Sequence, residues 1–169
     1  EATPPRRNTF SHANANRDSA MAEALYWKMR AVCSGLSEKF VQGGRREGFL
    51  RRLKKPIFAM DSTTIALVAN CMPWAKHRRK KAAVKCHLSL NLQNHLPQTV
   101  CVEKARPHDS RFARFLCTPL QDGSIVVADK AYSDFRHFRE LTARGIAWAV
   151  RARRDTAFRV VRTLHATDN

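Results

Sequence analysis

From Val84 to Gln93, apolar and polar residues alternate without a break. Val84, Cys86, Leu88, Leu90 and Leu92 stand against Lys85, His87, Ser89, Asn91 and Gln93. Successive side chains of a strand point to opposite faces, so a period of two makes this segment a strand with one face on a core. Asn94-His95 supplies a turn, and Val100 and Val102 mark the returning arm of a hairpin. The rest of the chain must build around that pair.

Upstream, Ile57-Phe58-Ala59-Met60 running into Asp61-Ser62-Thr63-Thr64-Ile65 reads as another strand, rich in β-branched residues after an apolar start. Downstream, Phe112, Phe115 and Leu116 lie on a helical stripe, capped by Asp109 or Ser110 and stopped by Pro119. Asp122-Gly123 then turns into Ile125-Val126-Val127-Ala128, a wholly apolar run of the kind found in buried parallel strands. Ser133 caps a helix carrying Phe135, Phe138 and Leu141 that stops at Gly145. Residues 146–150 form a further strand, and 158–161 begin one more. At the other end, residues 1–17 read as a loosely held lead-in. Asp18 then caps a helix with Met21, Leu25, Met29, Val32 and Leu36 on one face. A second, amphipathic helix is expected over 45–55, closed by Pro56. The order predicts an α/β fold with a mixed sheet and helices on both faces of its parallel part. A small helical element (1–55) precedes a core domain (56–169).

The 169-residue chain is long enough to bury a core, and no apolar run approaches the roughly 18 residues of a membrane span. A membrane protein is excluded and secretion is unsupported. Five cysteines without a C-x-x-C pair predict a reduced, intracellular protein. The formal charge of +17 calls for a polyanion, and nucleic acid is the obvious one. The densest basic run is Lys76, His77, Arg78, Arg79, Lys80 and Lys81. It lies between two strand candidates, so the fold should hold it in place against phosphate. Lys85 joins these candidate DNA contacts. Further basic clusters lie at 45–46, 51–55 and 151–154.

Two carboxylates stand out. Asp18, Asp109 and Asp134 lie at helix starts, where capping accounts for them, and Asp122 is a turn residue. Asp61 and Asp129 instead interrupt or end runs that read as buried strand, where an unpaired charge is costly. Asp129 closes its strand at the edge where open α/β sheets build their sites. If the two strands are neighbours, the carboxylates converge into the kind of site used in two-metal phosphoryl transfer. There, divalent ions about 3.5–4 Å apart clamp the attacking and leaving oxygens. Carboxylate oxygen suits Mg²⁺. Local explanations stand beside this: Asp61 bonded to Ser62 or Thr63, and Asp129 capping the loop that follows. Zinc at Cys86, His87 and Cys101 is disfavoured, because adjacent strand residues point to opposite faces. Lys85 and His87 share a face and are expected to meet solvent. Trp74 is expected to pack a loop, and Tyr132 either touches DNA or anchors its turn. No P-loop, G-x-G-x-x-G or G-x-S-x-G motif occurs.

Met60-Asp61-Ser62-Thr63-Thr64-Ile65, Pro73-Trp74-Ala75-Lys76, Ala83-Val84-Lys85-Cys86-His87 and His108-Asp109-Ser110 resemble a transposase of the insertion sequence four (IS four) family. So does Ile125-Val126-Val127-Ala128-Asp129-Lys130-Ala131-Tyr132, in which Ala131 and Tyr132 follow the second aspartate as that family's pattern requires. The resemblance covers residues 57–163, with a weaker echo at 11–17. It implies a ribonuclease H-like core and a three-carboxylate (DDE) site, with Asp61 and Asp129 as the first two catalytic, metal-holding residues. It also implies Mg²⁺-dependent nicking and strand transfer, with Mn²⁺ as a substitute ion. The partner is then double-stranded DNA, both transposon ends and target, bound by a homodimer in the bacterial cytoplasm at the nucleoid. The third residue should be a Glu in a Tyr-Arg-Glu-Lys signature, which this sequence lacks. Glu140 comes too early and Asp155 falls in a loop, so the chain is expected to end before the third ligand and to be inactive as it stands. A non-catalytic nucleic-acid-binding module and a ribonuclease H-like nuclease without strand transfer are the alternatives.

Overall fold

The computed structural model describes residues 7–43, 53–67, 76–77 and 81–162. Helix α1 (Arg7–Asn16) occupies the stretch expected to be a loose lead-in. It carries no apolar stripe, so periodicity could not reveal it. Helix α2 (Ser19–Gly43) starts as expected, with Asp18 Oδ1 accepting the Ala20 N–H at 2.9 Å. Its apolar stripe, however, stays largely exposed at Met21, Leu25, Met29, Val32 and Leu36. α2 reaches the sheet through Arg30, whose Nε donates to Pro97 O at 2.6 Å and whose Nη2 donates to Gln98 Oε1 at 2.7 Å. Most of the helix expected over 45–55, like Trp74, lies outside the described residues.

The sheet comprises β1 (Ile57–Leu67), β2 (Lys76–His77), β3 (Lys81–Asn91), β4 (Pro97–Lys104), β5 (Ile125–Ala128) and β6 (Ala147–Val150). Its order is β2-β3-β1-β5-β6, with β4 also paired to β3. The alternating segment is β3, and it forms the expected antiparallel hairpin with β4. His95 takes a left-handed φ of 57° at that turn. β1 runs antiparallel to β3 and parallel to β5, and β5 runs parallel to β6. The apolar tetrapeptide is therefore an interior parallel strand, as its composition demands.

Helix α3 (Ser110–Cys117), a 3-10 turn (Lys130–Tyr132) and helix α4 (Phe135–Ala143) pack against this sheet. Phe58 and Met60 of β1 and Val126 and Ala128 of β5 share a core with Ala113, Leu116 and Cys117 of α3, Tyr132, Leu141 of α4 and Ile146. Alternate strand residues share a face, so α3 and α4 lie on one side of the parallel strands. On the other side Val127 is 40% exposed and Ala149 is exposed. The expectation of helices on both faces is thus corrected among the described residues. An Arg114–Glu140 ion pair links α3 to α4.

Two local expectations also change. Asp134, not Ser133, caps α4, accepting from the Arg136 and His137 N–H groups. Residues 158–161 form no strand: Phe158, Val160 and Val161 are 73%, 65% and 90% exposed, and β-propensity without burial or a paired neighbour does not hold a strand. Gly145 ends α4 with φ 65°, a conformation that favours glycine. The whole is a ribonuclease H-like α/β arrangement, a mixed sheet with flanking helices preceded by a small helical element.

Candidate active site

The parallel pairing of β1 with β5 ends at Met60 opposite Ala128. The next residue on each chain is an aspartate, Asp61 and Asp129, so each acid directly follows a member of the last paired couple. Met60 and Ala128 point into the core, and alternation turns the aspartates to the opposite, exposed side. Asp61 Oδ1 accepts the N–H of its neighbour Ser62 at 2.7 Å, the local bond foreseen for it. Asp129 precedes the 3-10 turn, yet its side chain makes no capping bond. Both acids thus lie just past the end of the β1–β5 pairing, at the carboxyl end of β5.

No third carboxylate joins them among the described residues, and no group of three His, Cys, Asp or Glu there could hold a metal ion. Asp134 is occupied with its cap, and Glu140 is held by Arg114, which keeps its carboxyl below the usual range.

On the core side of β1 and β3 lies a polar cluster that sequence reading assigned differently. Lys85 Nζ donates to Asp109 Oδ1 at 2.6 Å, and both side chains are mostly shielded from water. Ser62 Oγ donates to the other Asp109 oxygen at 3.3 Å. Asp109 makes no capping bond to α3, so the cap expected of it is corrected. Lys85, expected to meet phosphate, has its ammonium committed to this carboxylate. His87, cross-strand neighbour of Ser62, is fully buried rather than solvent-facing. Its ring stacks on Phe112 with centroids 4.1 Å apart, and its Nδ1 lies 3.1 Å from the Tyr132 hydroxyl. Burial pushes the His87 pKa below its ordinary value, with Asp109 pulling the other way. Burial likewise raises the Tyr132 phenol, while a hydrogen bond with Ser62 opposes that rise. Tyr132 is 1% exposed, and its packing in the core anchors the turn after Asp129.

This cluster links Ser62, one residue past Asp61, to Tyr132, three past Asp129. Nothing local marks Asp109 as its hub, because a carboxylate at a helix start looks like a cap.

The basic run begins as β2, where Lys76 pairs with Ala82 and His77 with Lys81 of β3. Arg78, Arg79 and Lys80, next in the sequence, lie outside the described residues. The hairpin base stands at the end toward which β1 runs beyond Asp61, since Leu67 pairs with Ala82.

The sequence matches the family described as the transposase DDE domain over residues 52–167, which includes every strand of the sheet. It is similar to the probable transposase for insertion sequence element IS5377 of Geobacillus stearothermophilus, with 32% identity over 81 residues. That alignment covers 48% of this chain and 21% of the relative, so the chain spans about a fifth of the relative's length. No solved structure matches. None of the described helices is long and apolar enough to cross a membrane. A family match that runs the length of the sheet makes this polypeptide a member of the DDE transposase domain family.

Proposed function

We propose that residues 56–169 are catalytic core from a DNA transposase of the IS four type, with 1–55 as an accessory helical element. In this reading Asp61 and Asp129 hold Mg²⁺, or Mn²⁺ in its place, for cleavage and strand transfer on double-stranded DNA. The observation that supports the reading is the β1–β5 register, whose last pair, Met60 and Ala128, immediately precedes the two acids. Two exposed carboxylates offer hard oxygen donors suited to Mg²⁺, which binds few protein groups and keeps several waters. With no third carboxylate beside them among the described residues, the pair binds the ion weakly and the chain by itself is inactive. When bound, such an ion stabilises negative charge on a phosphoryl oxygen and favours a deprotonated oxygen nucleophile.

The chain's own residues do the positioning. The Ser62 N–H orients the Asp61 carboxylate, and buried Tyr132 fixes the turn that carries Asp129. Lys76, Arg78, Arg79, Lys80 and Lys81 attract DNA phosphates, whereas Lys85 braces Asp109 from within. Two copies working on paired DNA ends at the bacterial nucleoid complete the reading.

Thermal unfolding with MgCl₂ or MnCl₂ tests it. The midpoint should rise with either salt in the native chain and stay unchanged in Asp61→Ala and Asp129→Ala. No metal response, or the same response in the variants, refutes the reading. Salt-sensitive DNA affinity indifferent to Asp61→Ala would then leave a binding module. Once the third carboxylate is supplied, joining of a 3′ end to new DNA separates a transposase from a nuclease.

A further inference from the structure

We propose that Lys130, Arg151 and Arg154 form a second phosphate-binding rim, on the β6 side of the acid pair, that grips the backbone of double-stranded DNA. The proposal rests on the reading that Asp61 and Asp129 act on DNA, and extends it to residues outside the basic run.

Register carries it first. Met60, Ala128 and Val150 are successive partners across β1, β5 and β6. The residues that follow them are Asp61, Asp129 and Arg151, so a guanidinium-bearing residue flanks Asp129 on the side away from Asp61. A second observation fixes the segment beyond. Arg153 Nε donates to the Lys130 carbonyl at 3.2 Å, and the Thr156 N–H to the Arg153 carbonyl at 3.2 Å. The chain leaving β6 is thereby tied to the chain leaving Asp129, and its basic residues stay at the edge that bears the acids.

Charge chemistry then selects the ligand. Lys130, Arg151 and Arg154 are exposed, and no described carboxylate pairs with them. Three cations elsewhere are neutralised, Lys85 by Asp109, Arg114 by Glu140 and Arg144 by Asp122. Cations left unpaired beside two carboxylates do not form internal ion pairs, but they suit a phosphodiester, whose planar oxygens fit a guanidinium fork. The sheet order sets Lys76 of β2 and Lys81 on the β3 flank, the acids at the ends of the β1–β5 pairing, and this rim on the β6 flank. A duplex backbone crossing that edge meets positive charge on both sides of the acids.

Fluorescence anisotropy with a labelled DNA duplex, at KCl concentrations from 50 to 300 mM, tests the rim. Each phosphate contact contributes about 0.9 to the slope of log affinity against log salt. Arg151→Gln/Arg154→Gln should lower that slope by about 0.9 per arginine, while Arg151→Lys keeps it. Arg136→Gln/Arg139→Gln removes the same charge from exposed positions on α4, across the sheet, and should change the slope little. Equal falls in both double variants, or no fall in the first, overturn the rim, and a preference for an acidic peptide over the duplex does the same. The metal response of the native chain is read separately. A lowered slope without any metal response leaves the rim standing and refutes the catalytic reading; an intact metal response with an unchanged slope refutes the rim alone.

Discussion

Acidification through pH 6.5 should destabilise this protein through two buried histidines. His87 is 0% exposed and His137 4%. Burial is the largest influence on each and pushes both pKa values below the ordinary 6.5. Asp109 opposes the shift at His87, and Glu140, 3.5 Å from His137 Nδ1, opposes it there. The unfolded chain therefore binds more protons than the folded one just below pH 6.5, and stability falls as pH falls until each folded-state pKa is passed. The limiting slope is about 1.4 kcal/mol per pH unit for each ring. Allowing for half-protonation of the unfolded chain at 6.5, each histidine contributes at most about 1 kcal/mol of loss between pH 6.5 and 5.5. Glu140 has the opposite linkage: held low by Arg114, it loses its contribution only as pH falls through the carboxylate range, outside this window. Urea unfolding at pH 7.5, 6.5 and 5.5 measures the effect. His87→Phe, which keeps the stack on Phe112 but cannot titrate, should remove His87's share of the slope. A flat profile, or the native slope in His87→Phe, refutes the reasoning.

Lys85→Met strands the mostly shielded Asp109 carboxylate and should cost about 2–3 kcal/mol, less than a wholly buried pair because both side chains keep some contact with water. Lys85→Met/Asp109→Leu should cost less than the sum of the single changes, as a double-mutant cycle in urea would show. Leu116→Ala, at a fully buried position between α3 and the sheet, should cost about 2–5 kcal/mol, read as a lower urea midpoint at unchanged m-value.

The sheet was legible because its strands carry their environment in their composition. Alternation gave β3, and four apolar residues in a row gave β5 as a buried parallel strand. The adjacency of Asp61 and Asp129 could be posed from the sequence as a condition, that two strands be neighbours, but only pairing could meet it. Helix α1 stayed hidden because it buries no stripe, whereas 158–161 looked like a strand because propensity is visible and burial is not. Asp109 shows the limit best. Its local pattern is that of a cap, but its bonds reach Lys85 on β3 and Ser62 on β1, and contacts between distant segments leave no mark in a linear pattern.

β1 and β5 part company at Asp61. Ile57 to Met60 pair with β5, whereas from Asp61 to Leu67 the strand pairs with β3 alone among the described residues. The two carboxylates therefore sit in the crotch of a fork, where one rail of β1 has backbone amides and carbonyls with no strand opposite. Groups left in that condition must be wetted or met by an incoming molecule. Past Asp61, then, the main chain of β1 turns one row of hydrogen-bonding groups toward solvent rather than toward a described neighbour.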